Sequence, residues 1–95
     1  MIDIKVFFLS LLADIVSEEE ITLTIKRDST VEDALNALIR KYGNKLRETI
    51  LTSSDTLNKF ILLGLNGQDI RSLDNLKTLL HNGDEISVLP AIAGG

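Results

Sequence analysis

Apolar residues recur at every second position from Ile2 to Phe8, which is the period of a β-strand with one face turned toward a core. The same alternation returns between Glu20 and Lys26, where β-branched side chains are frequent. Together these segments predict an N-terminal hairpin with a wide connection. Residues 10–17, within that connection, are expected to form a loop or a short helical turn.

A helical period replaces the two-residue period after residue 30. The apolar positions fall on one face of a helix: Val31, Ala34, Leu35, Leu38, Ile39 and Tyr42. Thr30 is the predicted N-cap, and Asp33 can return a hydrogen bond to it in a capping box. Gly43, with the following Asn44, can supply the left-handed residue that ends such a helix.

The second half of the chain predicts a short helix and further strands. Residues 45–57 indicate a brief helix followed by a polar loop, Thr52–Thr56. The continuous apolar run 60–65 predicts a buried strand that turns tightly at Asn66-Gly67. A turn of helix is expected within residues 73–80.

A last strand is predicted at residues 85–89, with Ile86 and Val88 pointing inward. Two hairpins separated by one strong helix favour an α+β fold, in which a mixed sheet wraps around that helix. In this arrangement the first and last strands can pair in parallel at the centre of the sheet.

Composition narrows the function classes. The 95 residues contain no cysteine and carry a net charge of −4, which fits one small domain in a reducing compartment, and we expect it to be cytoplasmic. Without cysteine there is no disulfide framework, thiolate nucleophile or Cys-type zinc site. The acidic balance argues against DNA, and no apolar run is long enough to span a membrane. A protein partner is therefore expected.

Candidate catalytic and metal-ligating groups are sparse. His81 is the sole histidine, and without a second ligand or base nearby in sequence it is interpreted as a solvated loop residue. The run Glu18-Glu19-Glu20 is interpreted as a solvated strand entrance, because consecutive side chains point to different faces. The glycine spacing does not match a phosphate-binding loop. We predict no metal site and no bound nucleotide in this chain.

The end of the chain is distinctive. Pro90 lacks a backbone donor and is expected to end the sheet, so residues 1–89 form the predicted domain and residues 90–95 a flexible tail. Six extended residues reach about 20 Å. Gly94 and Gly95 have no Cβ and could enter a narrow channel. The alternative interpretation is a frayed terminus without chemistry.

The ordered set of these segments resembles the MoaD/ThiS family of β-grasp, ubiquitin-like sulfur carriers, which includes the small subunit of molybdopterin synthase and the small archaeal modifier proteins. The resemblance rests on residues 4–8, 30–35, 65–67, 82–86 and 89–95. Two positions depart from the family pattern. Pro90-Ala91 stands where a Pro-Pro pair is usual, and Ala13-Asp14 stands where an Arg-Glu pair often follows the first strand.

The resemblance implies a specific chemistry at Gly95, with Gly94 beside it. A ubiquitin-activating-type enzyme would use ATP and magnesium to adenylate the terminal carboxylate, and a sulfur donor would convert it to a thiocarboxylate. In one branch the tail would enter the large subunit of molybdopterin synthase, in a heterotetramer, and donate sulfur to the pterin. In the other branch Gly95 would be conjugated to lysines of target proteins, or its thiocarboxylate would donate sulfur for tRNA thiolation. A plain interaction domain is the third possibility.

An apolar patch is expected on the outer face of the sheet. If the even positions of the first strand face the helix, then Phe7 and Leu9 face outward, and Leu89 lies beside them. Exposed apolar patches often mark binding surfaces; alternatively, residues 11–16 cover this one. The predicted partner-binding residues are Phe7, Leu9, Leu89, Pro90, Ala91, Ile92 and Ala93.

Overall fold

The computed structural model describes residues 1–54 and 56–91. Within them the strands are β1 (Ile2–Phe8), β2 (Glu20–Ile25), β3 (Ile61–Leu65), β4 (Gln68–Asp69) and β5 (Glu85–Pro90). The helices are α1 (Leu11–Val16), α2 (Val31–Tyr42) and α3 (Asn44–Ile50). Two short 3-10 turns, Ile70–Ser72 and Asn75–Lys77, lie between β4 and β5.

The sheet has the order β2-β1-β5-β3-β4. β1 pairs with β2 in antiparallel fashion and with β5 in parallel, while β5 and β3, and β3 and β4, are antiparallel. The predicted central parallel pair of first and last strands is thus confirmed. This is the mixed-sheet α+β fold expected from the sequence, the β-grasp or ubiquitin-like arrangement.

Local signals place α2 as predicted. The Thr30 Oγ1 accepts a 3.3 Å hydrogen bond from the Asp33 N–H, and the Asp33 Oδ2 accepts a 2.9 Å bond from the Thr30 N–H. This reciprocal capping box satisfies two backbone donors at the start of the helix. Gly43, with φ +86°, ends α2 in a conformation that side chains disfavour, and α3 begins at the next residue.

The core lies between the sheet and the helices. The buried inner positions of the two central strands include Ile4, Val6, Ile86 and Val88, and α2 covers them with Val31, Ala34, Leu35 and Leu38. Leu12 of α1 and Leu46 of α3 are also fully buried. Every second residue of β1 and β5 is therefore committed to packing, which leaves the opposite face of the sheet uncovered by α2.

The apolar segment 60–65 differs from its predicted burial. The run 60–65 is not buried throughout: Ile61, Leu63 and Leu65 are buried, whereas Leu62 is half-buried and Phe60 is 53% exposed. The predicted strand is present but is buried on one face only, because the helices cover one face of the sheet. Alternate residues of β3 consequently point outward.

The predicted end of the sheet before Pro90 was wrong. Pro90 lies in β5 opposite Ile61, and the Ala91 N–H donates a 2.7 Å hydrogen bond to the Phe60 carbonyl. The Leu9 N–H donates to the Val88 carbonyl, so the backbone groups of residue 88 face β1. Those of residue 90, two positions later, point to the same side, where β1 has already ended. The missing N–H of Pro90 therefore breaks no pairing with β3, and the sheet extends past the predicted boundary at residue 89.

The helices are short. The longest, α2, has 12 residues, whereas a bilayer-spanning helix needs about 20. Among the described residues, no helix combines the length and apolar character required to cross a membrane.

Candidate functional site

The three strand positions predicted to face outward lie at one end of the sheet. Phe7 is half-buried and stands in register between Glu20 of β2 and Ser87 of β5. Leu9 is 43% exposed, and its N–H donates to the Val88 carbonyl at 3.0 Å. Leu89 is half-buried. The structure thus places these apolar side chains near the point where β1 ends and β5 continues.

Two further apolar residues, which sequence reasoning missed, extend this surface. Leu62 lies directly opposite Leu89 in the β3–β5 register. Phe60 immediately precedes β3 and bonds through its carbonyl to Ala91. We call Phe7, Leu9, Phe60, Leu62 and Leu89 the outer apolar cluster. Strand order brings β3 beside β5, and the continuous apolar run 60–65 contained no signal for which of its side chains would face outward.

A cation borders the cluster. The Lys59 Nζ lies 5.2 Å from the centroid of the Phe60 ring, which is within the range of a cation–π contact. This contact holds a positive charge close to the end of β5. The side of the cluster near β3 is therefore apolar with a basic margin.

The opposite side of the cluster is acidic. An open depression of about 1030 Å³ lies between the end of β1 and α1, and its lining includes Phe7 and Leu9 together with Ala13. Asp14, Ser17, Glu18 and Glu19 contribute its polar wall. The Ala13-Asp14 pair, which departs from the family pattern, lies on this wall. At this wall Ala13 stands where the resemblance implied an arginine, and Asp14 keeps the acidic character of the next position.

Helix α1 lies beside the outer apolar cluster and leaves Leu9 exposed. The helix directs Leu12 and Val16 into the core, where both are buried, and leaves Leu11 52% exposed. Leu9 thus stays exposed beside residues 11–16, whereas Phe7 and Leu89 are half-buried. Leu9 and Leu11 add exposed apolar area next to the depression.

Tyr42, the last residue of α2, packs against the end of β1 on the inner face of the sheet. The Tyr42 ring packs edge-on against Phe8, with centroids 5.8 Å apart. Its hydroxyl is buried and has no hydrogen-bond partner among the described residues. Burial, with a smaller contribution from the Glu18 carboxylate, raises the pKa of Tyr42 above the usual value. The phenol therefore stays protonated at neutral pH.

The predicted tail residues divide between two groups. Pro90 and Ala91 are half-buried and belong to the sheet edge described above. Ile92, Ala93, Gly94 and Gly95 lie outside the described residues. The chain thus reaches Ala91 alongside Phe60 and the outer apolar cluster, four residues before Gly95.

The side chains considered for other chemistry are exposed. His81 has a side chain 79% exposed, with its Nδ1 3.9 Å from the Asp84 Oδ2, and its backbone N–H donates to the same carboxylate. Glu18, Glu19 and Glu20 are all exposed, as predicted for a strand entrance. Within residues 1–54 and 56–91, no cluster of three His, Asp or Glu side chains could hold a metal ion.

The chain is similar to sulfur carriers and to archaeal modifier proteins. It is 34% identical over 73 residues to a putative sulfur carrier protein of Archaeoglobus fulgidus, which covers 77% of this chain and 83% of that one. It is 27% identical over 93 residues to small archaeal modifier protein 3 of Haloferax volcanii, covering 98% and 99% of the two chains.

A solved structure agrees. The solution structure of small archaeal modifier protein 1 from Methanosarcina acetivorans superimposes with a TM-score of 0.87 at 33% identity, and covers 100% of this chain and 98% of that one. The family model of the ThiS family matches residues 6–95, nearly the whole chain. The chain therefore belongs to the ThiS family.

Proposed function

We propose that this chain is a sulfur carrier whose Gly95 carboxylate is adenylated and then converted to a thiocarboxylate. The observation that carries the proposal is the anchoring of Ala91 to Phe60, beside an exposed apolar cluster and four residues before Gly95. The similarity to a putative sulfur carrier protein and the match of the family model through residue 95 support it.

The chemistry needs an external activating enzyme. A carboxylate is a poor electrophile, so one Gly95 oxygen would attack the α-phosphorus of ATP and displace pyrophosphate to form an acyl-adenylate. A sulfur nucleophile would then attack the acyl carbon, and AMP would leave. ATP and magnesium belong to a ubiquitin-activating-type partner in this proposal, and this chain acts as its protein substrate in the cytoplasm.

The outer apolar cluster is the proposed docking surface for that enzyme. Its side chains combine exposed apolar area with a position next to the tail, so that docking would direct residues 92–95 toward the partner. Removal of apolar area from water supplies most of the favourable free energy of such contacts. The acidic wall formed by Asp14, Glu18 and Glu19 would favour a basic margin on the partner.

Two acceptors are proposed for the activated tail. In the first, the thiocarboxylate enters the large subunit of a molybdopterin synthase, as part of a heterotetramer, and donates sulfur to the pterin of the molybdenum or tungsten cofactor. In the second, Gly95 forms an isopeptide bond with lysines of target proteins. The similarity to two small archaeal modifier proteins favours keeping the second candidate.

The first test is intact-protein mass spectrometry after incubation with the adenylating enzyme of the same organism, ATP and a sulfide source. The expected result is exchange of one oxygen for one sulfur, localised to Gly95. Deletion of Gly95 should abolish the mass change, whereas Gln68→Ala, on the distant edge strand β4, should leave it intact. An unmodified mass with an enzyme active on another carrier would contradict the proposal.

The acceptor is tested in the native cells. Immunoblots and peptide mapping that detect Gly95 joined to lysines of other proteins would support conjugation. A non-covalent complex with a synthase large subunit, which forms the pterin dithiolene from the thiocarboxylated chain in vitro, would support sulfur donation. If neither product forms from a chain shown to be thiocarboxylated, both acceptors are wrong.

A further inference from the structure

The outer edge of β2 offers unpaired backbone groups. β2 lies at one edge of the sheet and pairs only with β1 among the described residues. The Phe8 N–H donates to the Glu19 carbonyl at 2.9 Å, so odd-numbered residues of this segment direct their N–H and C=O groups toward β1. Those of Glu20, Thr22 and Thr24 consequently point away from the sheet.

This edge lacks the usual protection against pairing. Natural edge strands carry charged side chains, a proline, a bulge or an inward-pointing charge, or are very short; here the charges, Glu20 and Lys26, stand only at the two ends. β2 has six residues, reads Glu-Ile-Thr-Leu-Thr-Ile, and pairs with β1 in an uninterrupted register. The opposite edge strand, β4, has only two residues. Of the two edges, β2 is thus the one able to accept another strand.

The side-chain sequence of the edge is symmetrical about Leu23. Moving outward from Leu23, the chain has threonine on both sides, then isoleucine on both sides, and finally Glu20 on one side and Lys26 on the other. An antiparallel copy centred on Leu23 therefore places each residue opposite a matching one. Glu20 of each copy faces Lys26 of the other, which gives two ion pairs of opposite charges.

The backbone satisfies the same register. Thr22 faces Thr24 of the second copy, and both residues have outward-pointing N–H and C=O groups, as a hydrogen-bonded antiparallel pair requires. A parallel arrangement would bring Glu20 close to its own counterpart. Opposite charges and hydrogen-bond direction therefore favour antiparallel pairing. A register centred on Leu23 pairs residues 20–26, which include all of β2, with the same residues of the other copy.

Burial singles out the same centre. On the inner face of β2, Ile21 and Ile25 are buried, whereas Leu23 between them is only half-buried. At the two-fold axis Leu23 would stand at a position without backbone hydrogen bonds, where facing side chains are closest. Contact between the two leucines would remove their exposed area from water.

From these observations we propose that the outer edge of β2 is a homodimer interface, in which two copies join antiparallel about Leu23 into one continuous sheet. The occupant of this edge is thus a second copy of the chain. The interface is isologous, as two-fold symmetry requires. Because β1 separates β2 from β5, the dimer leaves Phe60, Leu62 and Leu89 uncovered, whereas Phe7 of β1 lies next to Glu20 of the paired edge. The inference does not rest on the proposed function.

The test begins with sedimentation equilibrium of the full chain from about 10 μM to about 1 mM, a range suited to a weak complex. The expected result is a reversible monomer–dimer equilibrium. Over the same range, amide hydrogen exchange at Thr22 and Thr24 should slow with concentration. The Leu23 amide points toward β1 and is bonded already in the monomer, so at low concentration it should exchange more slowly than those of Thr22 and Thr24.

Thr22→Pro removes an outward N–H without removing a bond to β1, and should weaken dimerisation at least tenfold. Thr22→Val retains the N–H and the strand propensity, and serves as the matched control. Glu20→Lys and Lys26→Glu should each weaken the dimer, while the double exchange restores it. Since the Lys5 Nζ lies 3.5 Å from the Glu20 Oε2, Lys5→Gln controls for loss of that internal ion pair.

A chain that stays monomeric at about 1 mM, with unchanged exchange at Thr22 and Thr24, would overturn the proposal. So would a dimer that keeps its affinity in both Thr22→Pro and the single charge exchanges, because the interface would then lie elsewhere. If Thr22→Pro fails to fold, the charge-exchange variants test the interface instead. The Glu20 and Lys26 side chains are exposed, so exchanging them should leave the fold intact.

Discussion

The Ala91 N–H donates a 2.7 Å hydrogen bond to the Phe60 carbonyl, one residue beyond the last registered pair of β3 and β5. This bond attaches the end of the chain to the margin of the outer apolar cluster. Gly95 is four positions further along the chain, and four fully extended residues span at most about 14 Å. Under the proposed function, a partner that reacts with Gly95 would therefore approach the sheet near Phe60.

Ala91→Pro tests that attachment. The substitution removes the N–H donor and should lower the free energy of unfolding by about 1 kcal/mol, the usual net value of one such hydrogen bond. Ala91→Ser retains the donor and should differ from the wild type by less than half as much. Urea denaturation measures both; equal stabilities of the two variants would contradict the bond as an anchor.

Phe7→Asp should abolish activation by the adenylating enzyme while the domain stays folded. Phe7 contributes apolar area to the outer face, and an introduced carboxylate there would be desolvated on docking. The readout is ATP–pyrophosphate exchange, with circular dichroism to verify the fold. Gln68→Asp adds the same charge on β4 and should react normally.

Because Asp at position 7 would face Glu20 in the neighbouring strand, some loss of stability is expected from like charges. Phe7→Ser avoids that repulsion and should still reduce the exchange rate at least tenfold. Normal adenylation of both variants would show that Phe7 takes no part in docking.

Phe60→Ser tests the part of the cluster found only in the structure. The ring is 53% exposed, so stability should change by less than about 1 kcal/mol, whereas affinity for the activating enzyme should fall. Titration calorimetry gives the affinity directly. Leu79→Ser is a matched control, since Leu79 is 52% exposed and lies outside the cluster; an equal effect of both variants would argue against a specific surface.

The capping box predicts coupled effects at Thr30 and Asp33. Thr30→Ala should destabilise the domain by about 1 kcal/mol, the typical cost of losing an N-cap side chain. Because the Thr30 hydroxyl also donates a 3.2 Å hydrogen bond to the Asp33 Oδ2, the double variant with Asp33→Ala should cost less than the sum of the single changes. Thermal unfolding measures the cycle, with Asn36→Ala on the exposed face of α2 as control. Strict additivity would contradict reciprocal capping.

Tyr42 predicts a pH dependence at high pH. Burial of the phenol and the Glu18 carboxylate raise its pKa in the folded chain, so its protonated form is favoured by folding. The resulting stability is complete below the unfolded value of about 10 and is lost as the pH rises through the folded pKa. As the chain has one tyrosine and no tryptophan, phenolate absorbance should report this titration cleanly.

Tyr42→Phe is the matched variant. It removes a buried hydroxyl that lacks a partner among the described residues, and should be as stable as the wild type or more stable at neutral pH. The alkaline loss of stability should diminish in this variant. A loss of more than about 1.5 kcal/mol at neutral pH would instead indicate that the hydroxyl has a hydrogen-bond partner.

Local patterns in the sequence determined the elements. Alternation predicted β1 and β2, the helical period with Thr30, Asp33 and Gly43 predicted α2 and its ends, and Asn66-Gly67 predicted the turn before β4. These signals succeed because they depend on backbone conformation and on neighbours a few residues away. The element order and the C-terminal Gly-Gly also led to the family, which the comparisons confirmed.

Only the tertiary structure decided which strands lie side by side and which face remains open. Pro90 stays in the sheet because its missing N–H faces the side where β1 has ended, and Phe60 and Leu62 become surface residues because β3 lies against β5 while the helices cover one face. Both outcomes depend on pairings between residues far apart in sequence. A two-residue period states that a strand has two faces, but non-local packing determines which of them is buried.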